Sequence, residues 1–508
     1  MKPGRAFITT CLLSTMAGSY SVAIYAANGW DKNAGLTVQT IFSDNLNLTR
    51  KDRKSDIGVR VTPSIGLIRD SRYNKLYFQY GLSYLEHSQS GADSDFSHSM
   101  TANWQSELQR DWLFLDVSAN AAQALLSRTG ASSGDDFNNT DNLTQTFTYY
   151  ISPYTRHHFG SYADLELRYT HDGVLIESGT AGDSFSNGLS FSFDSGRAFQ
   201  ALSWSVNGSY SQVERDSSDA QDKYRNARAR VNYAINRYWA PFVYVAYQDN
   251  DFSTSSDNPG GSVYGAGVTW SPRQNLSFEL TYNSEGANIG AGVRWNPNER
   301  TSLDLSYGND FLRKAWSFNF SHRQRSSSLS ASYSEDFVST ARDELLARET
   351  FQQFDNFGNP ILDPVTGRPI FITLDSPDLN DETYILKRFT LSYDILIGKR
   401  NSVAVSSSFS NREYQVSKEK SDTLSASVNW SRKLAANLNS DLGLSWNSTD
   451  SQTSDGGSEQ WLLNAGLSYR LTAKTTVAFN LQHVEKDGDE DASNYSENRA
   501  TLTVGTRW

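Results

Sequence analysis

The side chains that could carry out chemistry are few and poorly placed to act together. There is one cysteine, Cys11, and there are seven histidines. His157-His158 falls in a predicted turn beside Phe159, and His171-Asp172 is read at a strand end with no serine or further acid tied to it. Nucleophilic catalysis needs a nucleophile, a base and an orienting group within reach of one another, and no such constellation is visible. The acidic run 487–491 (Asp-Gly-Asp-Glu-Asp) has oxygens for Ca²⁺ but lacks the spacing and terminal Glu of an EF-hand. It reads as a solvated loop, or one bridged to lipopolysaccharide by divalent cations. No catalytic residue, cofactor or metal ligand is assigned, and the chain reads as a non-enzyme.

The chemistry that remains is recognition by a wet, mixed-charge surface. Arg60, Glu107, Asp164, Glu166, Arg168, Arg228, Arg230, Arg294, Arg388, Asp394, Asp441, Arg470 and Arg499 recur at every second position, opposite apolar neighbours. A side-chain period of 2 belongs to a strand with unlike faces. Leu276, Phe278, Leu280 and Tyr282 share one face; Ile289, Ala291, Val293 and Trp295 share the next. The same alternation recurs from Gly35 to the C-terminus, too often for a helical period. Strands ending Val-x-Trp or Leu-x-Tyr run into short connections with Pro, Asn, Arg or Lys, such as Ser271-Pro272-Arg273 and Asn296-Pro297-Asn298. The opposite ends carry longer, acidic or glycine-rich connections. Short turns at one end and long loops at the other describe a transmembrane β-barrel with periplasmic and extracellular rims. The strand-end Trp and Tyr then serve as interface anchors.

Composition agrees. Only 38% of residues are hydrophobic and mean hydropathy is −0.56, yet aromatics reach 13%. A disordered chain this polar should be poor in aromatics, whereas a barrel with a polar lumen and aromatic girdles should not. The expected fold is all-β: one closed antiparallel barrel of the outer membrane over 27–508, with about 24 strands (22–26). The last strand ends on an aromatic, with Leu502, Val504 and Trp508 on one face. It is similar to the C-terminal signal read by the outer-membrane assembly machinery.

Residues 1–26 read as a signal peptide: basic Lys2 and Arg5, a moderately apolar middle, and a small residue at Ala26. Removing those two basic residues from a net charge of −11 leaves −13. Cys11 would leave with them, so no thiol chemistry or disulfide remains. An acidic mature chain makes nucleic acid an improbable partner. Outer-membrane lipid and lipopolysaccharide are the expected surroundings.

One stretch breaks the repeat. Residues 337–381 hold four of the eleven prolines, and so long a connection without alternation is usually functional or disordered. Phe351, Phe354, Phe357, Pro360, Pro364, Arg368 and Pro369 are candidates for a loop that constricts the mouth; a surface flap is the other reading.

Phe42-Ser43-Asp44-Asn45-Leu46-Asn47-Leu48, together with Asp355-Asn356-Phe357-Gly358-Asn359-Pro360, resembles the outer-membrane β-barrel proteins encoded with exopolysaccharide and PEP-CTERM loci. The resemblance implies a conduit or accessory barrel for exopolysaccharide export, with polysaccharide and periplasmic export proteins as partners. It brings no catalytic residues. A general diffusion porin for small hydrophilic solutes, or a surface adhesin that anchors matrix, fits the same lumen and loops.

Overall fold

The computed structural model describes residues 29–508 except 89–94, 127–129, 134–135, 141, 178–182, 217–220, 252–259, 285–288, 311–312, 340–382, 415–416, 452–455 and 490–493. The expected leader, 1–26, lies outside the described residues.

Twenty-four strands form one sheet. The first eight are β1 (Trp30–Ser43), β2 (Asp56–Asp70), β3 (Asn74–His87), β4 (Asp95–Gln109), β5 (Leu113–Leu125), β6 (Leu143–Phe159), β7 (Ala163–Ile176) and β8 (Ser184–Ser195). Next come β9 (Leu202–Arg215), β10 (Gln221–Tyr233), β11 (Trp239–Asp251), β12 (Gly260–Arg273), β13 (Leu276–Asn283), β14 (Ile289–Asn298), β15 (Thr301–Asp310) and β16 (Arg313–Arg323). The circuit continues with β17 (Ser327–Ser339), β18 (Thr383–Ile397), β19 (Asn401–Tyr414), β20 (Lys420–Ala435), β21 (Leu438–Ser451), β22 (Ser458–Arg470), β23 (Thr475–Gly488) and β24 (Tyr495–Arg507).

Each strand pairs antiparallel with its neighbours in sequence, and β24 returns to β1 with Gly35 opposite Arg507 through Ser43 opposite Arg499. The sheet is therefore closed and has no free edge. Closure pairs backbone groups that an open edge would present to its surroundings, and only such a sheet crosses hydrocarbon. The expected barrel and strand number are both present.

The two faces are chemically opposite. Outward side chains are apolar and uncovered: Leu280 is 54% exposed, Leu481 48% and Leu502 47%. In water a surface this apolar is a liability; facing lipid it is the expected exterior. Trp270 and Trp295, 40% and 41% exposed, mark the short-turn end of that surface, a position suited to interface anchors.

The connections sort by end. From β12 to β13, β14 to β15 and β20 to β21, only 274–275, 299–300 and 436–437 intervene. At the other end β1 and β2 are separated by 44–55, and β5 and β6 by 126–142. Register shifts at Trp270/Arg273 and Trp295/Asn298 lie at the short turns. Pro272 and Pro297 fall inside them, where a residue without an N–H interrupts no ladder bond. Gly160 and Gly398, at φ +64° and +68°, take the left-handed conformation that two other short turns need.

Three local expectations are corrected. His157 and His158 end the β6 strand rather than forming a turn, because they pair with Leu165 and Asp164 of β7. His171-Asp172 is interior to β7, paired with Asn187 and Ser186 of β8. The long connection is 340–382 rather than 337–381, since Phe337, Val338 and Ser339 continue β17 opposite Ile385, Tyr384 and Thr383.

Candidate functional site

Alternation fixes which side chains reach the lumen, and cross-strand register fixes which of them meet. On β5, β6 and β7, Phe114 lies opposite Tyr154, and Tyr154 opposite Arg168. The rings stack at 5.0 Å and 16°, and the Arg168 guanidinium covers Tyr154 at 3.8 Å. Arg168 also donates to Asp116 at 3.1 Å and Ser152 at 2.8 Å. Glu166 accepts from Arg156 at 2.7 Å and from Arg168 at 3.4 Å. Two cations and two carboxylates thus neutralise one another within a single patch of wall.

The next sector repeats the logic with different strands. Arg230 of β10 lies over the Phe242 ring of β11 at 3.6 Å and reaches across β12 to Glu279 of β13, with contacts of 3.3 and 2.9 Å. The fork geometry of guanidinium suits such a two-point contact. Arg228 sits over Tyr244 at 4.6 Å. Room for these rings comes from β12, where Phe242 and Tyr244 face Gly267 and Gly265; a β-carbon at either glycine would collide with the ring beside it. Arg294 pairs with Asp304 at 2.8 Å.

The remaining expected lining residues divide by position. Glu107 accepts the Asp111 backbone N–H at 2.5 Å and serves the β4–β5 turn. Asp164 meets His158 at 2.5 Å near the short-turn rim. Asp394 accepts from Ser328 at 3.4 Å, Asp441 packs against Gly466, and Arg470 ends β22 exposed. Arg388 lies opposite Ser410 of β19. The residues expected to form a constriction, Phe351 to Pro369, lie outside the described residues.

Arg60 and Arg499 have a different role from the one expected. Both are covered by the β5–β6 connection, which turns into the lumen at the long-loop end. Arg60 pairs with Asp136 of that connection. Arg499 bonds Ser133 at 2.6 Å, Asn138, and Glu497 of its own strand at 3.1 Å, and lies over the Phe137 ring at 5.3 Å. Phe137 is fully buried with Ile41, Leu46 and Leu85. Gln460, Gln482 and Lys486 donate to the carbonyls of Ser132, Ser133 and Gly130 at 3.1, 3.0 and 2.7 Å. Tyr495 donates to Ser132 as well.

The β1–β2 connection also packs inward. Asn45, Leu46 and Leu48 are buried, the last with Val484 and Tyr495. Asn45 donates to the carbonyls of Thr49 and Ser496 at 2.8 and 2.9 Å, and accepts from the Thr49 N–H at 3.0 Å. The one sequence sign of the β5–β6 insertion is a lone aromatic, Phe137, in a stretch otherwise rich in Ser, Gly, Asp and Asn.

Leu502, Val504 and Trp508 all face outward from β24, Trp508 46% exposed. In the acidic run, Asp489 accepts the Gly457 N–H at 2.7 Å and so ties two neighbouring connections; Glu490 and Asp491 lie outside the described residues. No cluster of three or more potential metal ligands occurs among the described residues.

No protein-family model matches the chain, and no curated protein matches it in sequence. Among solved structures it is similar to the FrpB iron transporter from Neisseria meningitidis (F5-1 variant): 10% identity, TM-score 0.46, covering 94% of this chain and 83% of that one. The siderophore receptor PirA from Pseudomonas aeruginosa gives 9% identity and a TM-score of 0.40 over 94% and 80%. The ferric-catecholate import receptor Fiu from E. coli K12 gives 9% and 0.42 over 94% and 81%.

Proposed function

We propose that the chain is an integral barrel of a Gram-negative outer membrane whose lumen holds or conducts a hydrated, weakly charged solute, and that its task is exopolysaccharide export. The observation that supports this reading is the pairing of lumen charges on the wall itself: Arg168 with Asp116 and Glu166, Arg230 with Glu279, Arg294 with Asp304. A ring of one sign selects ions. Charges neutralised across strands leave hydroxyls, amides and paired ions, which exchange hydrogen bonds with a hydrated solute at little desolvation cost.

The choice of polysaccharide draws on the resemblance at residues 42–48. The second reading is a general diffusion porin, favoured by the same neutralised wall. Purified barrel in planar bilayers or liposomes separates the solute classes: near-unit cation/anion selectivity and permeation of neutral sugars are expected. Strong ion selectivity, or no permeation of any sugar, would overturn the lumen reading. Disruption of the gene in its host should abolish polymer secretion if export is the task, and leave it intact if the barrel is a diffusion porin.

A further inference from the structure

We propose that described residues 130–133 and 136–140 of the β5–β6 connection act as an internal clasp on the barrel seam, holding β1 and β24 together from the lumen side. The connection leaves β5 and returns to β6, yet its partners lie on both sides of the β1–β24 junction.

On the β1 side, the Asn139 N–H donates to the Leu46 carbonyl at 3.0 Å, and the Asn138 amide donates to the Asn45 carbonyl at 3.3 Å. Asp136 pairs with Arg60 of β2, and Phe137 fills the space between Ile41 of β1 and Leu85 of β3. On the β24 side, Asn138 donates to Glu497 at 3.0 Å and accepts from Arg499. Asn138 therefore bonds both flanks at once. Ser43 of β1 completes the bridge, donating to the same Glu497 oxygen at 2.5 Å.

These groups are sealed from water. Glu497 and Ser43 are fully buried, and Arg499, Ser133 and Asn138 nearly so. Taking one partner from a buried charged network leaves the others uncompensated, which costs far more than an exposed pair is worth. The seam carries nine residue pairs, from Gly35–Arg507 to Ser43–Arg499, while β1 and β2 share fourteen. The clasp acts at the Ser43–Arg499 end, just inside the last backbone bond across the seam, from the Asp44 N–H to the Asn498 carbonyl at 3.2 Å.

The test uses the full chain in a Cys11→Ser background, which has no other cysteine. Asp136→Ala with Asn138→Ala removes the side-chain bonds from the connection to Arg60, Asn45 and Glu497, while leaving every strand residue and the Ser43–Glu497 bond unchanged. The readout is the temperature at which the folded barrel shifts to its unfolded mobility in SDS gels. The double variant should shift several degrees lower. A seam disulfide between Phe42→Cys and Ala500→Cys, opposed across β1 and β24, should restore it. A control disulfide between Val243→Cys and Ala266→Cys, opposed across β11 and β12, should not. An unchanged transition in the double variant overturns the proposal, as does equal rescue by both disulfides, since that marks a general loss of stability. If the double variant fails to reach the membrane, Asp136→Asn alone is scored by the same criteria.

Discussion

Trp508 and Ala34 exchange backbone hydrogen bonds in both directions, Trp508 N–H to the Ala34 carbonyl at 3.0 Å and Ala34 N–H to the Trp508 carbonyl at 3.2 Å. The last residue thus helps close the sheet at the short-turn end while its side chain faces outward. Deleting Trp508 removes both bonds, at about 0.5–1.5 kcal/mol each, and the outward aromatic with them. The fraction of chain recovered as heat-modifiable barrel should fall well below that for deletion of Ser326, a residue in the short β16–β17 turn. Equal recovery of the two would separate Trp508 from closure.

The face assignment predicts an asymmetry between adjacent residues of β24. Leu502 is exposed on the outer face, whereas Thr501 points inward opposite Asn480 of β23. Leu502→Arg should cost about 2–4 kcal/mol if that residue lies near mid-membrane. Thr501→Arg should cost less, because its side chain lies on the face opposite the apolar one. Folding titrations into lipid vesicles measure both, and comparable losses would invert the assigned faces.

How much of this was legible in the sequence follows from the range of the interactions. Outward rows such as Leu276, Phe278, Leu280 and Tyr282 announce themselves locally, because each residue's environment is set by its parity in one strand. The same parity puts Arg230 on the face opposite its apolar neighbours, but its pairing with Glu279 spans β10 to β13 and needs the register of the intervening strands. Arg499 shows where parity fails. It does point inward, yet a connection more than three hundred residues earlier in the chain covers it. That connection has no period to read, and its polar residues look like solvated loop because their partners are distant carbonyls and carboxylates.

Asn45 is the sharpest case of a connection residue that behaves as core. Fully buried, it makes three hydrogen bonds through its side chain. Asn45→Ala strands the Thr49 N–H and two carbonyls, and should destabilise the long-loop end of β1 by about 1–3 kcal/mol. Hydrogen exchange should quicken at Thr49 and its neighbours, with amides of β11 unaffected. Protection unchanged at Thr49 would show that water replaces the amide at no cost.

Gly267 tests the packing of the lumen wall. A β-carbon there would meet the Phe242 ring and lie 2.6 Å from the Leu280 carbonyl. The backbone oxygen cannot swing aside as a side chain can, so Gly267→Ala should cost about 1–3 kcal/mol by overpacking. Gly292→Ala is the contrast, since its nearest neighbours would stand at 3.6 and 3.7 Å and little need move. Denaturant titration of both variants measures the difference; equal stability would mean that Phe242 repacks freely.

The Arg230–Glu279 pair links wall chemistry to permeation. Both side chains are partly open, at 22% and 35%, so on the proposed reading an ion in the lumen would meet them together and feel little net charge. Glu279→Gln leaves the guanidinium uncompensated and should turn the pore toward anions; Arg230→Gln should turn it toward cations. A bare charge about 4 Å from an ion in water is worth about 1 kcal/mol, enough to change local occupancy several-fold. Screening over about 10 Å at 0.1 M salt should shrink both shifts as salt rises. The double variant should return near the parent, because the two losses cancel. Reversal potentials under a KCl gradient record all three. Shifts of the same sign in both single variants, or none at low salt, would place this pair away from the conducting path and remove the support that its neutrality gives to a lumen for weakly charged solutes.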